Sequence, residues 1–168
     1  MIKTGWELPD KAFEWIEENI PFGSTIVELG SGHGSKRLSS NYDLWSIEHD
    51  TGWLNLYSSN YIHAEIVPFE INGESGSWYN PEKIKKALPS NYSLLIIDGP
   101  PSSIGRKGVL AHHEIFFWGC HILVDDTHRL EEKNISDQLS LQKSLNKIHF
   151  KELFEQTGLV REFTVLSP

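Results

Sequence analysis

The chain has 168 residues, of which 39% are hydrophobic and 23% charged, ordinary values that predict one globular domain over residues 1–168. A formal net charge of −8, with no long run of lysine or arginine, argues against nucleic acid as a partner and favours a small molecule. No apolar run approaches the roughly 18 residues of a membrane span, and one cysteine, Cys120, cannot form an internal disulfide. These absences predict a cytoplasmic protein with no membrane partner, and they leave the oligomeric state open.

The first half of the chain alternates helical and extended patterns. Apolar residues at helical spacing indicate an amphipathic helix near the N-terminus, and short runs rich in β-branched residues indicate strands. The predicted elements, in chain order, are a helix over 8–20, a strand over 25–29, a short helix over 35–40, a strand over 43–48, a helix through Trp53, Leu54 and Tyr57, and a strand over 61–67.

The second half continues the alternation and ends in a hairpin, signalled by Thr157-Gly158. The predicted elements are a long polar connection over 68–80, a helix over 82–88, a central strand over 93–98, a helix over about 105–118, a strand over 121–126, a helical region to about 146, and strands near 148–156 and 159–166. This order predicts an α/β fold with a doubly wound, mostly parallel seven-stranded sheet and an antiparallel C-terminal hairpin.

A loop with glycine at every second position follows the first predicted strand. That strand carries one acid, Glu28, and Gly30, Gly32 and Gly34 come after it. Glycine removes the Cβ that keeps a backbone away from a ligand, and it also allows positive φ. A strand, a glycine loop and a helix in this order predict a nucleotide-like ligand, with a purely structural turn as the alternative.

A second acid, Glu48, ends the next short apolar run. It lies close to the spacing of about 20 residues at which a carboxylate meets ribose hydroxyls in a nucleotide-binding βαβ unit. His49 follows it, and we expect this side chain at the adenine edge of the ligand. A carboxylate at the strand end suits a cationic cofactor better than a pyrophosphate, which it repels.

The pattern Glu-x-Gly-x-Gly-x-Gly resembles the S-adenosylmethionine loop of the class I (Rossmann-like) methyltransferases, and the likeness covers the chain from about residue 8 onward. It implies the Rossmann-like methyltransferase fold and S-adenosylmethionine as the cofactor. The residues that it assigns to cofactor binding, together with their neighbours in the loop and after the second acid, are Glu28, Gly30, Ser31, Gly32, Gly34, Glu48 and His49.

Aspartates end two central predicted strands, Asp98 the first and the Asp125–Asp126 pair the second. The carboxyl ends of parallel strands open on one edge, so we expect these carboxylates to share a crevice with the glycine loop. A buried strand end gains nothing from a carboxylate unless that group is paired, caps a helix or binds a ligand. Ion pairs of Asp125 with Arg106 or Arg129, and a helix cap by Asp126, are the alternatives.

The three aspartates resemble the ligand set of metal-dependent O-methyltransferases of the catechol and macrolide-sugar types. That resemblance implies Mg²⁺ ligands at Asp98, Asp125 and Asp126, with the metal lowering the pKa of an acceptor hydroxyl. The Asp98-Gly-Pro-Pro sequence departs from the Asp-Ala/Gly-Asp stretch of those enzymes. We expect catalytic roles for Asp98, Asp126 and His128, of which His128 is the candidate general base.

The predicted function is S-adenosylmethionine-dependent methyl transfer to oxygen of a small or carbohydrate-like acceptor. Arg106, His128 and Arg129 are candidates for contact with that acceptor. A non-catalytic S-adenosylmethionine- or nucleotide-binding module of a larger assembly is the alternative, because the chain has no large acceptor-binding insertion. The glycine spacing argues against a third interpretation, an NAD-dependent oxidoreductase.

Overall fold

The computed structural model describes residues 7–168 and contains nine strands and five α-helices within them. The strands are β1 (Thr25–Leu29), β2 (Asp43–Glu48), β3 (Asn60–His63), β4 (Ile66–Ile71), β5 (Glu74–Tyr79), β6 (Leu94–Ile97), β7 (His121–Val124), β8 (Asn146–Phe154) and β9 (Leu159–Ser167). The helices are α1 (Asp10–Asn19), α2 (Gly34–Asn41), α3 (Pro81–Ala87), α4 (Gly108–Ala111) and α5 (Leu130–Lys143), with a 3-10 turn at His113–Ile115.

Seven of these strands form one sheet in the order β3-β2-β1-β6-β7-β9-β8. The first five are parallel, and β9 runs antiparallel to both β7 and β8. The prediction of a mostly parallel seven-stranded sheet with an antiparallel C-terminal hairpin is therefore confirmed. Residues 1–6 lie outside the described part of the chain, so a single domain over all of 1–168 stays a prediction.

Both faces of the central sheet are buried. In β6, Leu94 and Ile96 pack with Phe13 of α1 on one face, whereas Leu95 and Ile97 belong to the core on the other face. A parallel strand covered on both sides reads as a continuous apolar run, which is why this strand was identifiable from sequence as central. The carboxyl ends of the strands are then the natural place for a ligand.

Two segments before β6 differ from the sequence prediction. The helix predicted through Trp53 is a series of turns over 51–59, where the Asp50 carboxylate accepts a hydrogen bond from Gly52 N at 2.8 Å and closes a turn instead. The polar connection predicted over 68–80 is a hairpin of β4 and β5, which takes up the end of the strand predicted over 61–67. Its tip is Asn72-Gly73, with φ of 51° and 81°, the residue pair that two-residue hairpin turns require.

The helix predicted over 105–118 is also shorter than expected. Helix α4 ends before His112, whose φ of −109° and ψ of 29° lie outside the helical region, and a 3-10 turn follows. The longest helix is α5, with 14 residues. Between residues 7 and 168 no helix has both the length and the apolar character needed to cross a bilayer.

The β4–β5 hairpin is fixed to α4 by Trp78. Its indole is fully buried and stacks on His112, with ring centroids 5.5 Å apart and planes 14° from parallel. A Cβ at Gly108 would lie 2.2 Å from Trp78 Cγ, so the helix can approach the indole only because Gly108 has no side chain. This contact fixes the end of β5, where Tyr79 follows Trp78.

Gly108→Ala is expected to destabilise the protein by about 1–3 kcal/mol, because the new methyl group overpacks against Trp78. Urea unfolding measures the change. Ser77→Ala, on an exposed position of the same strand, is the matched control and should leave the unfolding midpoint unaltered. Equal midpoints for Gly108→Ala and the natural protein would contradict this account of the hairpin contact.

Candidate functional site

A cleft of about 840 Å³ opens at the carboxyl ends of the parallel strands. Its wall includes the glycine loop after β1, Glu48 and His49 after β2, Asp98 and Gly99 after β6, and Asp126 after β7. The volume lies within the range of about 300–1,000 Å³ that small-molecule sites occupy. The strand-end acids and the glycine loop, separate in the sequence, therefore face one space.

The floor of the cleft is formed where two glycines bring β1 and β6 together. Gly30 has φ of +91°, and a Cβ on it would lie 3.1 Å from Gly99 Cα. A Cβ on Gly99 would lie 2.8 Å from Gly30 Cα. A backbone hydrogen bond from Asp98 N to Leu29 O, 3.2 Å long, ties the strand ends together. The two glycines therefore let the ends of β1 and β6 pack main chain against main chain.

Glu48 binds the glycine loop to the end of β2. One carboxylate oxygen, Oε2, accepts a hydrogen bond from Ser31 N at 2.9 Å. The other, Oε1, accepts from His49 N and Asp50 N, each at 2.7 Å. These three backbone donors fix the orientation of the carboxylate, which is 3% exposed and lines the cleft. The Glu48 carboxylate is therefore oriented to accept a hydrogen bond from a ligand hydroxyl.

Glu28 supports the loop from below and does not line the large cleft. It is the register partner of Ser46, and its Oε1 accepts from Ser46 Oγ and Ser35 Oγ, each at 2.6 Å. Ser35 Oγ in turn accepts from Gly32 N at 3.0 Å. Burial raises the pKa of Glu28 from 4.5 to about 7 against the opposing effect of the two hydroxyl hydrogen bonds. Gly34, at the start of α2, also lies outside the cleft lining.

The three aspartates form one cluster, as the sequence predicts. Oxygens of Asp98, Asp125 and Asp126 lie within 4.8 Å of one another. Arg106 Nη2 donates to Asp126 Oδ2 at 3.2 Å and to Asp98 Oδ1 at 3.4 Å. Arg161 Nη2 donates to Asp126 Oδ1 at 3.0 Å and to Asp125 Oδ2. Two buried guanidinium groups thus bind oxygens of all three carboxylates.

Two members of this cluster, Asp98 and Asp125, have a raised pKa. Burial, and next the charge of Asp125, raise the pKa of Asp98 well above its ordinary range. Burial and the charge of Asp126 raise the pKa of Asp125 to about 6. Asp98 is the member that reaches the solvent side, with 26% of its side chain exposed. A carboxylate of raised pKa at the wall of a cleft is suited to accept a proton from a ligand.

Other predicted residues lie at or beyond the rim. Arg129 lines the cleft, with Nη1 3.1 Å from Asp126 Oδ2. His128 is exposed and is not part of the cleft lining, so its role as general base stays a prediction. Asp125 and Arg106, which the sequence analysis considers as an alternative ion pair, are in contact through the backbone of Asp125. Arg106 Nη1 donates to the carbonyl of Asp125 at 3.3 Å.

Sequence reasoning did not assign Arg161 or Tyr79 to the site. Arg161 alternates along β9 with Phe163 and Val165, so its side chain lies on the same face of the sheet as these two buried residues. An arginine at a core-facing position of a strand was the available signal. Tyr79 lines the cleft from the last position of β5. Its position depends on a hairpin that the sequence analysis did not predict, so no local pattern pointed to it.

No protein-family model and no curated protein matches this sequence. Solved structures match almost the whole chain. An O-methyltransferase from Bacillus cereus in complex with S-adenosylhomocysteine (SAH) has a TM-score of 0.62 and 10% identity, over 96% of this chain and 82% of that one. An rRNA methylase from Streptococcus thermophilus has a TM-score of 0.61 and 10% identity, over 99% and 98%. A methyltransferase from Pyrococcus furiosus has a TM-score of 0.59 and 13% identity, over 94% and 81%. At these identities the likeness shows the fold, which is that of the class I methyltransferases.

Glu28→Gln tests the charge state of the support beneath the loop. Between pH 4.5 and 7 the folded chain holds more protons at Glu28 than the unfolded chain, so Glu28 makes the free energy of unfolding fall as pH rises. The rise in its pKa corresponds to at most about 3 kcal/mol. Glutamine removes this contribution, so the variant should gain stability relative to the natural protein on going from pH 5 to pH 8.

Urea unfolding at both pH values measures that difference. Glu70→Gln, at an exposed position of β4, is the control and should follow the natural protein. If Glu28→Gln and the natural protein lose stability in parallel from pH 5 to pH 8, Glu28 is not the titrating group.

Proposed function

We propose that this protein transfers the methyl group of S-adenosylmethionine to an oxygen atom of a small or carbohydrate-like acceptor. The observation that carries the proposal is the glycine loop held by Glu48 at the floor of the strand-end cleft. The fold supports it, since the Bacillus cereus O-methyltransferase that shares this fold was crystallised in complex with SAH.

The residues of the cleft fit this cofactor. Gly30 and Gly99 line the cleft, so main-chain atoms are available there to an adenosyl group. Glu48 lines the cleft and offers an oriented acceptor for ribose hydroxyls. When bound, the cofactor supplies an activated methyl group, so the chain has mainly to align the acceptor and hold its proton.

We assign Asp98 as the group that accepts the proton of the acceptor hydroxyl. It lines the cleft, is held by Arg106, and has a pKa above its ordinary range, which makes its carboxylate a stronger base than a free aspartate. An acceptor hydroxyl that donates a hydrogen bond to Asp98 is positioned by that bond and loses its proton to the same oxygen. Asp126 supports this geometry, because it is tied to Arg106 and Arg161.

Magnesium is the second cofactor that the sequence predicts, at Asp98, Asp125 and Asp126. In the structure, oxygens of these three carboxylates already accept hydrogen bonds from Arg106 and Arg161. A divalent cation would have to stand beside two guanidinium groups, which repel it in a buried setting. The arginine-bound cluster does not fit a magnesium ion, and we assign no step to one.

Calorimetric titration of SAH and S-adenosylmethionine into the protein tests the cofactor assignment. Both ligands should bind, and Glu48→Ala should weaken binding of both at least tenfold. That substitution removes the acceptor for the ribose and frees Ser31 N in the loop. Glu70→Ala, an exposed acid on β4, should bind both ligands as the natural protein does. Absence of binding by the natural protein would overturn the methyltransferase proposal.

Asp98→Asn tests the proton acceptor, because asparagine keeps the shape and the contact to Arg106 but cannot take a proton. Methyl transfer to catechol and monosaccharide acceptors should fall by about 10²- to 10⁴-fold, with SAH affinity preserved. Asp137→Asn, at a surface aspartate paired with Lys133, is the control and should keep its rate. Rates should be equal in EDTA and in Mg²⁺.

Full activity of Asp98→Asn would contradict the role of Asp98. Activity that EDTA abolishes and Mg²⁺ restores would contradict the metal-free assignment. Cofactor binding without transfer to either acceptor class would favour a non-catalytic binding module over the enzyme.

A further inference from the structure

The hydroxyl of Tyr79 is buried without a hydrogen-bond partner among the residues that the structure describes, 7–168. The whole side chain is 0% exposed. Leaving a buried hydroxyl unpaired destabilises the folded chain, so such a group needs an explanation. The other two buried tyrosines do have partners. The Tyr42 hydroxyl donates to the carbonyls of Ile20 at 3.3 Å and Ile16 at 3.5 Å, and the Tyr92 hydroxyl accepts from Phe117 N at 2.8 Å.

The position of this hydroxyl is at the floor of the cleft. Tyr79 is one of the residues that line it, and the hydroxyl lies 2.4 Å from where a Cβ on Gly99 would be. Its ring is 6.0 Å from that of His49, which follows Glu48. The hydroxyl therefore sits where the ends of β1, β2 and β6 converge. Trp78, the neighbouring buried residue with an unpaired indole N–H, does not line the cleft and has no such access.

The chemistry of the group makes it a donor. Burial, and next the charge of Glu48, raise the pKa of Tyr79 well above its ordinary value, so the hydroxyl keeps its proton. Glu48 and Asp98, the two cleft acids that act on this hydroxyl through their charge, already have hydrogen-bond donors. Glu48 accepts from backbone N–H groups, and Asp98 accepts from Arg106. What the site lacks is an acceptor for the Tyr79 proton, and a ligand with oxygen or nitrogen lone pairs supplies one.

We infer that Tyr79 is a binding residue for the adenosyl half of the cofactor, an inference that rests on the proposed function. Glu48 can only accept hydrogen bonds, whereas Tyr79 donates, so the pair is complementary to a ribose or an adenine ring that carries both donors and acceptors. This assignment gives the β4–β5 hairpin a role in binding, because the hairpin places Tyr79 beneath the cleft.

Tyr79→Phe and Tyr42→Phe form a matched pair that separates binding from stability. Binding is measured with SAH and with adenosine by calorimetry, and stability by urea unfolding without ligand. Tyr79→Phe should weaken the binding of SAH and of adenosine by the same factor, about three- to tenfold for one lost hydrogen bond. The urea midpoint of this variant should be unchanged or raised. Tyr42→Phe should lower the midpoint and leave both affinities unchanged.

The outcomes distinguish this inference from the proposed function. If the natural protein binds no SAH, the proposed function fails and the inference fails with it. If the natural protein binds SAH and Tyr79→Phe binds it equally well, only the inference fails, and the hydroxyl meets a buried water. If Tyr79→Phe weakens SAH but not adenosine, the hydroxyl contacts the amino-acid half, and the assignment to the adenosyl half is overturned.

Discussion

Buried charge at the ends of the central strands is the constraint on which the rest of this site depends. Asp98, Asp125 and Asp126 lie close together in a region largely shielded from water, an arrangement that would be unstable without counter-charges. Arg106 and Arg161 supply them, each bridging two of the carboxylates. Removing one partner of such a buried pair typically costs about 3–5 kcal/mol, so the cluster and the strand ends must form together.

This constraint also determines which groups remain for a ligand. The guanidinium groups are committed to carboxylates, and at least one oxygen of each carboxylate accepts from them. Asp98 is the member of the cluster at the solvent side, and in the proposed reaction it accepts the proton of the acceptor. Gly30, Glu48, Tyr79 and Gly99 line the same cleft. In the proposed reaction these residues hold the cofactor beside the proton acceptor.

The supports of the site come from unexpected directions. Glu28, the acid of the glycine-loop pattern, reaches the loop only through the hydroxyl of Ser35. Arg161 enters the aspartate cluster from the antiparallel strand β9, and its Nη1 also donates to the carbonyl of Glu7 at 2.6 Å. Tyr79 enters from a hairpin outside the main sheet. Of these three residues, only Glu28 belongs to the pattern that predicts the cleft.

The sequence by itself determined the fold class and several residues of the cleft wall. Apolar runs that end in Glu48 or Asp98, and glycines at alternate positions after β1, are local patterns that follow directly from strand burial and from backbone conformation. Only the tertiary structure decided that Arg106 and Arg161 bind the aspartates, and that Tyr79 reaches the cleft. Those contacts join residues far apart in the chain, and their geometry depends on sheet order and on the packing of a hairpin against Gly108, which no local pattern encodes.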